Sequence, residues 1–265
     1  MPFCADLYYR NYDGGASSST HPTILIHGLG GTHLSWPPTL RRIPGQRIIA
    51  IDLPGHGLSK NSALCSAHSL AIYLRKFISE MGIYHFALVG HSMGSAVAFE
   101  FACLFPKQLC GLALISSGRV FNNSDELRLA FDNKRSMDKV VGFLSKNGFY
   151  AGFPTSLRQE ILTPLKKTRL SVLRADLDVC ESFLADCSAV NFLFPVQLIT
   201  GREDQLVPLI GVKKLKYCLP NASLEIINEC GHMSVFEKTE AVRTILVPFL
   251  KGATKSGNKV VTDTL

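Results

Sequence analysis

The sequence predicts an α/β fold: a doubly wound, mostly parallel sheet with a helical cap inserted between two late strands. Short apolar, β-branched segments alternate along the chain with segments of helical periodicity. Because the strand-like segments are apolar at nearly every position, they are typical of parallel strands that helices cover on both faces. Right-handed β-α-β connections between such strands produce a doubly wound sheet.

Apolar, β-branched segments are predicted as the strands of this sheet: Thr23–Ile26, Arg47–Ile51, Phe86–Val89, Leu112–Ile115, Val196–Ile199 and Leu224–Ile227. An earlier strand is expected at Ala5–Asn11, with its pairing partner missing or irregular. The spacing of apolar side chains predicts helices between the strands, at Ser66–Met81, Met93–Phe105, Val207–Tyr217 and Val235–Leu250.

One region departs from this alternation, because no strand pattern occurs between Arg119 and Phe194. Its segments are interpreted as helices instead: Ser124–Arg135, Met137–Asn147, Ser156–Lys166 and Ser171–Ala185. The chain is therefore divided into a core of residues 1–118 and 195–250 and a helical cap of residues 119–194. Residues 251–265 are expected to form a polar C-terminal tail that frays, since they lack apolar periodicity.

The composition is that of an ordered globular protein, with 46% hydrophobic and 18% charged residues in 265. No apolar run is long enough to span a membrane, so no membrane span is expected. The first residues lack a basic region followed by an apolar stretch, so no signal peptide is expected and the cytoplasm is the predicted location. The eight cysteines are scattered without a C-x-x-C pair, which favours free thiols.

The net charge of +7 does not indicate a nucleic-acid partner, because the basic residues form only short clusters and no binding motif accompanies them. No histidine-carboxylate cluster has the spacing of metal ligands, so no metal is predicted. The glycine-rich segment Gly28–Gly31 lacks the ending of a phosphate-binding loop, and no cofactor is expected. The expected partner is a small-molecule substrate, and the oligomeric state is not predicted.

The most informative motif is Gly90–Gly94, which reads G-H-S-M-G between a predicted strand and a predicted helix. Such a sharp turn lifts one serine hydroxyl above the end of a parallel sheet. Small residues are needed there because the strand and helix backbones nearly touch. The motif predicts that Ser92 is a nucleophile.

A serine nucleophile needs a base near neutral pKa, which favours histidine, and a carboxylate to orient that histidine. Open α/β sheets place such groups on loops at the carboxyl ends of strands. The loop after Val196–Ile199 carries Glu203 and Asp204, and the loop after Leu224–Ile227 carries His232. Either acid is a candidate for the orienting carboxylate.

The chain resembles the α/β-hydrolase superfamily in its capped group of carboxylesterases, which is related to carbon–carbon bond hydrolases and cofactor-free haloperoxidases. The resemblance spans about Leu7 to Leu250 and rests on motifs that occur in the family's order: His27–Gly31, Asp52–Gly57, Gly90–Gly94, Gly201–Asp204 and Gly231-His232. Motifs in this order are specific for the fold and the triad, but one fold serves many chemistries.

The resemblance implies that Ser92 is the nucleophile and His232 the base. Its position in the family's G-x-x-D motif favours Asp204 over Glu203 as the orienting acid. The resemblance also implies that the backbone N–H groups of Leu29 and Met93 form the oxyanion hole.

Other polar residues are expected to be structural. In the family, the positions of His27 and His91 shape loops and the turn, and Asp52 and His56 belong to a structural turn. The cap carboxylates are expected on solvated helix faces rather than at the substrate: Asp176, Asp178 and Asp186.

The predicted function is a serine hydrolase that cleaves small carboxylic esters through an acyl-enzyme. The alternatives are a carbon–carbon bond hydrolase of diketones, a thioesterase or lactonase on the same triad, and a ligand receptor with slow turnover. A diketone hydrolase would need a buried basic residue for the substrate carboxylate, for which Arg119, Arg128 and Arg174 are candidates.

Overall fold

The computed structural model describes residues 2–60, 62–121, 127–129, 136–187 and 190–255. Its strands form one sheet in the order β1-β2-β4-β3-β5-β6-β7-β8. The strands are β1 (Phe3–Cys4), β2 (Leu7–Asp13), β3 (Thr23–Ile26), β4 (Arg47–Ile51), β5 (Phe86–His91), β6 (Leu109–Ile115), β7 (Val196–Gly201) and β8 (Ala222–Ile227). Strand β2 pairs antiparallel with β1 and β4, and every other neighbouring pair is parallel.

Helices connect the strands and cover both faces of the sheet. They are α1 (Pro38–Arg41), α2 (Ala67–Glu80), α3 (Met93–Leu104), α4 (Ser136–Asn147), α5 (Thr155–Leu162), α6 (Leu170–Ser182), α7 (Leu209–Cys218), α8 (Ser234–Glu237) and α9 (Thr239–Ala253). Short 3-10 helices occur at His33–Ser35, Pro106–Gln108 and Thr163–Lys167. The predicted fold class, a doubly wound and mostly parallel sheet, is confirmed.

The strands are apolar at consecutive positions because both of their faces are buried. In β3, Ile24 and Ile26 pack with α2 and α3 in one core cluster, whereas Leu25 packs with α1 and α9 in a second cluster on the opposite face. All three side chains are fully buried. Alternate side chains of a strand point to opposite faces, so a sheet between two helix layers needs apolar residues at both.

The partner of the first predicted strand is short rather than missing. Strand β1 has two residues, and they pair with Leu7 and Tyr8 of β2. The turn between the strands places Ala5 and Asp6 at φ of 48° and 61°. A two-residue hairpin turn with positive φ at both positions matches the twist of antiparallel strands, which explains the tight reversal without a glycine.

The last helix continues beyond the predicted start of the tail at residue 251 and ends at Ala253. Ala253 and Thr254 are buried, and the Thr254 hydroxyl donates to Leu250 O at 2.8 Å and Gln46 Oε1 at 3.1 Å. These contacts hold residues that the sequence alone assigns to a frayed tail. Residues 256–265 lie outside the described part of the chain.

The segment between β6 and β7 contributes α4, α5 and α6, and its described residues include no strand. Its helices share a separate hydrophobic cluster that includes Val140, Phe143, Leu144, Phe149, Leu162, Leu165, Leu173 and Leu177. The predicted helix at Ser124–Arg135 falls largely outside the described residues. Within the described ranges, no helix is long and apolar enough to cross a membrane.

Candidate active site

Ser92 lies at a sharp turn between β5 and α3, with φ of 53° and ψ of −123°. The turn requires glycine on both sides. A Cβ on Gly90 would collide with the carbonyl of Gly94, and a Cβ on Gly94 would collide with the carbonyl of Ile26 at the end of β3. The hydroxyl of Ser95 donates to Gly90 O at 2.7 Å, which closes the turn. The sequence therefore folds locally so that the Ser92 side chain stands at the edge of the sheet.

His232 lies between Ser92 and Asp204, on the loop that follows β8. Its Nε2 is 2.7 Å from Ser92 Oγ, and its Nδ1 is 2.9 Å from Asp204 Oδ2. All three residues are buried. A carboxylate can only accept from Nδ1–H, so Nε2 is left without a proton and can accept one from the serine hydroxyl.

Of the two candidate acids, the structure brings Asp204 to His232 and directs Glu203 elsewhere. Asp204 Oδ1 accepts hydrogen bonds from Leu206 N at 2.9 Å and Val207 N at 2.8 Å, which fix the carboxylate on the loop after β7. The carboxylate of Glu203 accepts instead from Cys230 N at 2.9 Å.

His91, which precedes the serine, and His27, which precedes the glycine-rich loop, both make structural contacts. His91 Nε2 donates to His232 O at 3.1 Å, and His27 Nε2 accepts from Leu53 N at 3.1 Å. Burial, reinforced by the neighbouring His232, lowers the pKa of His91 to about 3. Burial, reinforced by the neighbouring His56, lowers the pKa of His27 to about 4. Both rings are therefore neutral near pH 7 and are bound within the loops.

Two backbone N–H groups beside Ser92 are available to an oxygen in the pocket. Met93 is the first residue of α3, where N–H groups have no partner within the helix. A Cβ on Gly28 would lie 3.2 Å from Ser92 Cβ, so the segment before Leu29 runs against the serine. Neither the Leu29 nor the Met93 N–H donates to another described residue.

A buried carboxylate, Asp52, fixes two loops that border the pocket. Its Oδ1 accepts from His33 N at 2.6 Å and from His33 Nδ1 at 2.8 Å, and its Oδ2 accepts from Leu58 N at 2.9 Å. A Cβ on Gly57 would collide with this carboxylate. Asp52 is thus structural, as its motif predicts, and His33 is its buried partner.

The expectation for Asp176 is wrong, because this residue of α6 is buried rather than solvated. Only 1% of its surface is exposed, and its Oδ2 accepts from Gly30 N at 2.7 Å and faces His56 Nε2 at 2.9 Å. Asp176 shares the buried face of α6 with Leu173 and Leu177, and this spacing is a signal that could have identified it. The other two carboxylates of this segment, Asp178 and Asp186, are exposed.

Sequence reasoning also missed Glu237, which holds the loop that carries His232 against the segment around Tyr150. Its carboxylate accepts from Gly231 N at 3.1 Å and from Tyr150 N at 2.7 Å. Met233 N donates to Gly148 O at 3.0 Å in the same region. Burial raises the pKa of Glu237. The loop that carries His232 is therefore bound to residues 148–150 of the segment above it.

A cavity of about 1030 Å³ opens above Ser92 and His232. Its walls are mainly apolar side chains from both sides of the site: Leu29, Phe121, Leu144, Leu162, Leu165, Leu177, Leu206, Met233 and Phe236. The charged side chains Glu160, Lys167 and Arg169 also line it, and all three are exposed. In the described residues, no group of three or more histidine, cysteine or acidic side chains could hold a metal ion.

The family described as the alpha/beta hydrolase fold matches residues 22–149 of the chain. The chain has the α/β-hydrolase fold. This α/β-hydrolase is 29% identical to the 2-hydroxy-6-oxononadienedioate/2-hydroxy-6-oxononatrienedioate hydrolase of Paraburkholderia phymatum, in an alignment that covers 90% of this chain and 89% of the relative.

Solved structures with the same fold include a thermophilic esterase from Thermogutta terrifontis. It is 19% identical, with a TM-score of 0.77 and coverage of 94% of both chains. A meta-cleavage product hydrolase from Pseudomonas fluorescens is 21% identical, with a TM-score of 0.75 and coverage of 94% of this chain and 96% of that one. These α/β-hydrolase structures share the fold of this chain.

Proposed function

We propose that this α/β-hydrolase is a serine hydrolase that cleaves small carboxylic esters through an acyl-enzyme. The observation that carries the proposal is the buried hydrogen-bond chain from Ser92 Oγ to His232 Nε2 at 2.7 Å and from His232 Nδ1 to Asp204 Oδ2 at 2.9 Å. A serine hydroxyl becomes a useful nucleophile when a neighbouring base accepts its proton, and this arrangement supplies the base and its orienting acid.

In the first half-reaction, Ser92 Oγ attacks the acyl carbon of the ester while His232 Nε2 accepts the hydroxyl proton. The negative charge of Asp204 stabilises the resulting imidazolium. The carbonyl oxygen becomes an oxyanion, which accepts hydrogen bonds from the N–H groups of Leu29 and Met93. When the tetrahedral intermediate collapses, the bond to the leaving oxygen breaks and His232 donates the proton to that oxygen. The alcohol departs and an ester of Ser92 remains.

In the second half-reaction, water replaces the alcohol. His232 Nε2 accepts a proton from the water as its oxygen attacks the acyl carbon. The second tetrahedral intermediate uses the same two N–H groups, and its collapse returns the proton to Ser92 Oγ. The carboxylic acid is released and the enzyme is restored. His232 therefore acts as a base in each attack and as an acid in each collapse.

The cavity supports an ester with at least one apolar part. Its volume of about 1030 Å³ exceeds the needs of a two-carbon acyl group, and most of its walls are apolar. We propose that residues 119–194 act as a cap over this cavity, since α4, α5 and α6 supply several of the walls. Burial of an apolar acyl chain or alcohol there would stabilise binding by about 0.8 kcal/mol per CH₂ group.

Hydrolysis of a carbon–carbon bond in a diketone is the second candidate. It is favoured by the curated relatives, which include carbon–carbon bond hydrolases. A diketone that carries a carboxylate needs a cationic partner, and Lys167 and Arg169 at the edge of the cavity could provide one. The arginines considered from the sequence are exposed and none lines the cavity: Arg119, Arg128 and Arg174. Because ester cleavage needs no such partner, we place it first.

The test is turnover of p-nitrophenyl esters with two to twelve acyl carbons by the wild type and by Ser92→Ala. We expect activity in the wild type and a loss of several orders of magnitude in Ser92→Ala. Ser171→Ala is the matched control, because Ser171 is exposed on α6 and should leave the rate unchanged. Equal rates in Ser92→Ala would contradict the proposal. A folded wild type that is silent on every ester but cleaves a carboxylated diketone would establish the second candidate.

A further inference from the structure

The loop that carries the Leu29 N–H is held from above by two residues of the proposed cap. Asp176 Oδ2 accepts from Gly30 N at 2.7 Å, and Thr168 Oγ1 donates to Gly30 O at 2.9 Å. Both polar groups of Gly30 are therefore bound to residues more than 130 positions later in the chain. Gly30 has φ of 63°, and a Cβ there would collide with the cap side chain Leu165. The cap and the loop fit together without space for a side chain.

The Asp176 carboxylate is itself fixed by His56. The Nδ1 of His56 faces Pro54 O at 3.1 Å, and its Nε2 faces Asp176 Oδ2 at 2.9 Å. A carbonyl and a carboxylate both accept hydrogen bonds, so each ring nitrogen of His56 carries a proton and the ring is cationic. The pair is almost completely buried, with side-chain exposure of 2% for His56 and 1% for Asp176.

Other groups around His56 agree with this charge assignment. The ring of His27 lies 4.7 Å from that of His56, and burial keeps His27 neutral. Burial alone would lower the pKa of His56, but the charge and hydrogen bond of Asp176 outweigh burial and raise that pKa above its ordinary value. Neutral His27 beside cationic His56 avoids repulsion between two buried charges.

We infer that Asp176 is a positioning residue for the oxyanion hole: its carboxylate fixes the Gly30 N–H and thereby aims the Leu29 N–H at the reacting oxygen. His56 holds the carboxylate in place from the core side, and Thr168 fixes the carbonyl of the adjacent peptide unit, between Gly30 and Gly31. The inference rests on the proposed serine-hydrolase function, since it assigns a role in forming the oxyanion. It makes the cap a part of the catalytic geometry as well as a wall of the pocket.

An oxyanion-hole donor contributes only when it points at the position that the oxyanion occupies, and a misplacement of about 1 Å can cost about 100-fold in rate. Peptide units on either side of Leu29 are planar, so a rotation at Gly30 turns the Leu29 backbone with it. Without Asp176, the Gly30 N–H has no fixed acceptor and the loop can rotate.

The test compares Asp176→Ala and Asp176→Asn with the wild type. Four quantities are measured: kcat for a p-nitrophenyl ester, KM for the same ester, inhibition by a trifluoromethyl ketone, and inhibition by the product alcohol. The ketone forms an oxyanion when Ser92 adds to it, whereas the alcohol does not. Asp176→Ala should lower kcat and ketone affinity by about 10- to 100-fold while KM and alcohol affinity change by less than about threefold. Asp176→Asn keeps an acceptor oxygen and should recover most of both losses.

Asp178→Ala is the matched control, since Asp178 is exposed on the same helix and should behave as the wild type. Asp176→Ala leaves the His56 charge buried without a partner and could prevent folding. In that case, the same four measurements on Thr168→Val test whether the loop must be fixed. A folded Asp176→Ala, or Thr168→Val in its place, with unchanged kcat and ketone affinity would overturn the inference. An equal loss of alcohol affinity would also overturn it, as would an Asp176→Asn variant as impaired as Asp176→Ala.

The two proposals fail in distinguishable ways. A wild type without Ser92-dependent ester turnover would remove both of them. A wild type with Ser92-dependent turnover, together with a folded Asp176→Ala variant that retains its rate and ketone affinity, would remove only the role of Asp176.

Discussion

Replacement of Asp204 by asparagine should abolish catalysis because it changes which nitrogen of His232 carries the proton. The fold of the protein should stay the same. Asp204 Oδ1 accepts from two backbone N–H groups, those of Leu206 and Val207, and its Oδ2 accepts from His232 Nδ1. In Asp204→Asn, the amide oxygen must face the two backbone donors, because the amide NH₂ cannot accept from them. The NH₂ group then faces His232 Nδ1.

An NH₂ group at that position requires Nδ1 to accept, so the imidazole proton moves to Nε2. Nε2 is 2.7 Å from Ser92 Oγ and would then be a donor, which cannot take the serine proton. This change of tautomer in a serine-histidine-aspartate triad costs about 10⁴-fold in kcat. We therefore expect kcat of Asp204→Asn for a p-nitrophenyl ester to fall by about that factor, with KM changed by less than about threefold.

Glu203→Gln is the matched control, because Glu203 is the adjacent acid and its oxygen accepts from Cys230 N rather than from the histidine. A glutamine oxygen can replace that contact, so kcat should stay within about threefold of the wild type. Circular dichroism and melting temperature would show that both variants fold. The reasoning would be refuted if Asp204→Asn retained more than about a tenth of the wild-type kcat, or if Glu203→Gln were the more impaired variant.

Two further predictions concern stability. The pKa of His56 is raised in the folded protein, so its ion pair stabilises the fold fully below about pH 6.5 and less as pH rises through the folded pKa. In urea unfolding, the difference between wild type and His56→Gln should therefore be larger at pH 6 than at pH 9, and a constant difference would contradict this. A Cβ on Gly231 would lie 2.6 Å from backbone atoms of Phe149 and Tyr150, so Gly231→Ala should lower the free energy of unfolding by about 1–3 kcal/mol. Gly211→Ala has open space and should be neutral or stabilising, so equal losses in the two variants would refute the steric argument.

The turn at Ser92 could be predicted from the sequence because its determinants are local. Glycines at 90 and 94 are required by contacts within a few residues and with the end of one adjacent strand. The alternation of apolar strands and amphipathic helices likewise predicts the parallel sheet, since each strand is buried on both faces. The loops after β7 and β8 follow from the same pattern, and the structure places Asp204 and His232 on them.

The choice between the two acids could not be made from the residues alone. Glu203 and Asp204 are adjacent, and both carry a carboxylate at the end of the same strand. Their side chains leave the loop in different directions, so one faces His232 Nδ1 and the other faces Cys230 N. Spacing along the chain does not encode that direction. Only the resemblance to a family favoured Asp204 before the geometry was known.

The spacing of residues in α6 marks the buried position of Asp176, but sequence reasoning could not identify the partners of Asp176 and Glu237, because most of those partners are remote along the chain. A carboxylate on a helix is usually solvated, and its burial is tolerable only when donors from elsewhere surround it. The donors to Asp176 are Gly30 N and His56, and those to Glu237 are Gly231 N and Tyr150 N. No periodicity within α6 or α8 reveals them.

The separation of the reacting groups along the chain has a consequence for protein synthesis. Ser92 precedes His232 by 140 positions, and Gly30 precedes Asp176 by 146. A ribosome therefore completes the turn at Ser92 long before it adds Asp204 and His232. A nascent chain that ends at β6 contains Ser92 but lacks both Asp204 and His232. If Ser92, His232 and Asp204 act together as proposed, hydrolytic activity can appear only after β7, β8 and the loops that follow them have joined the sheet, so shorter chains would be inert.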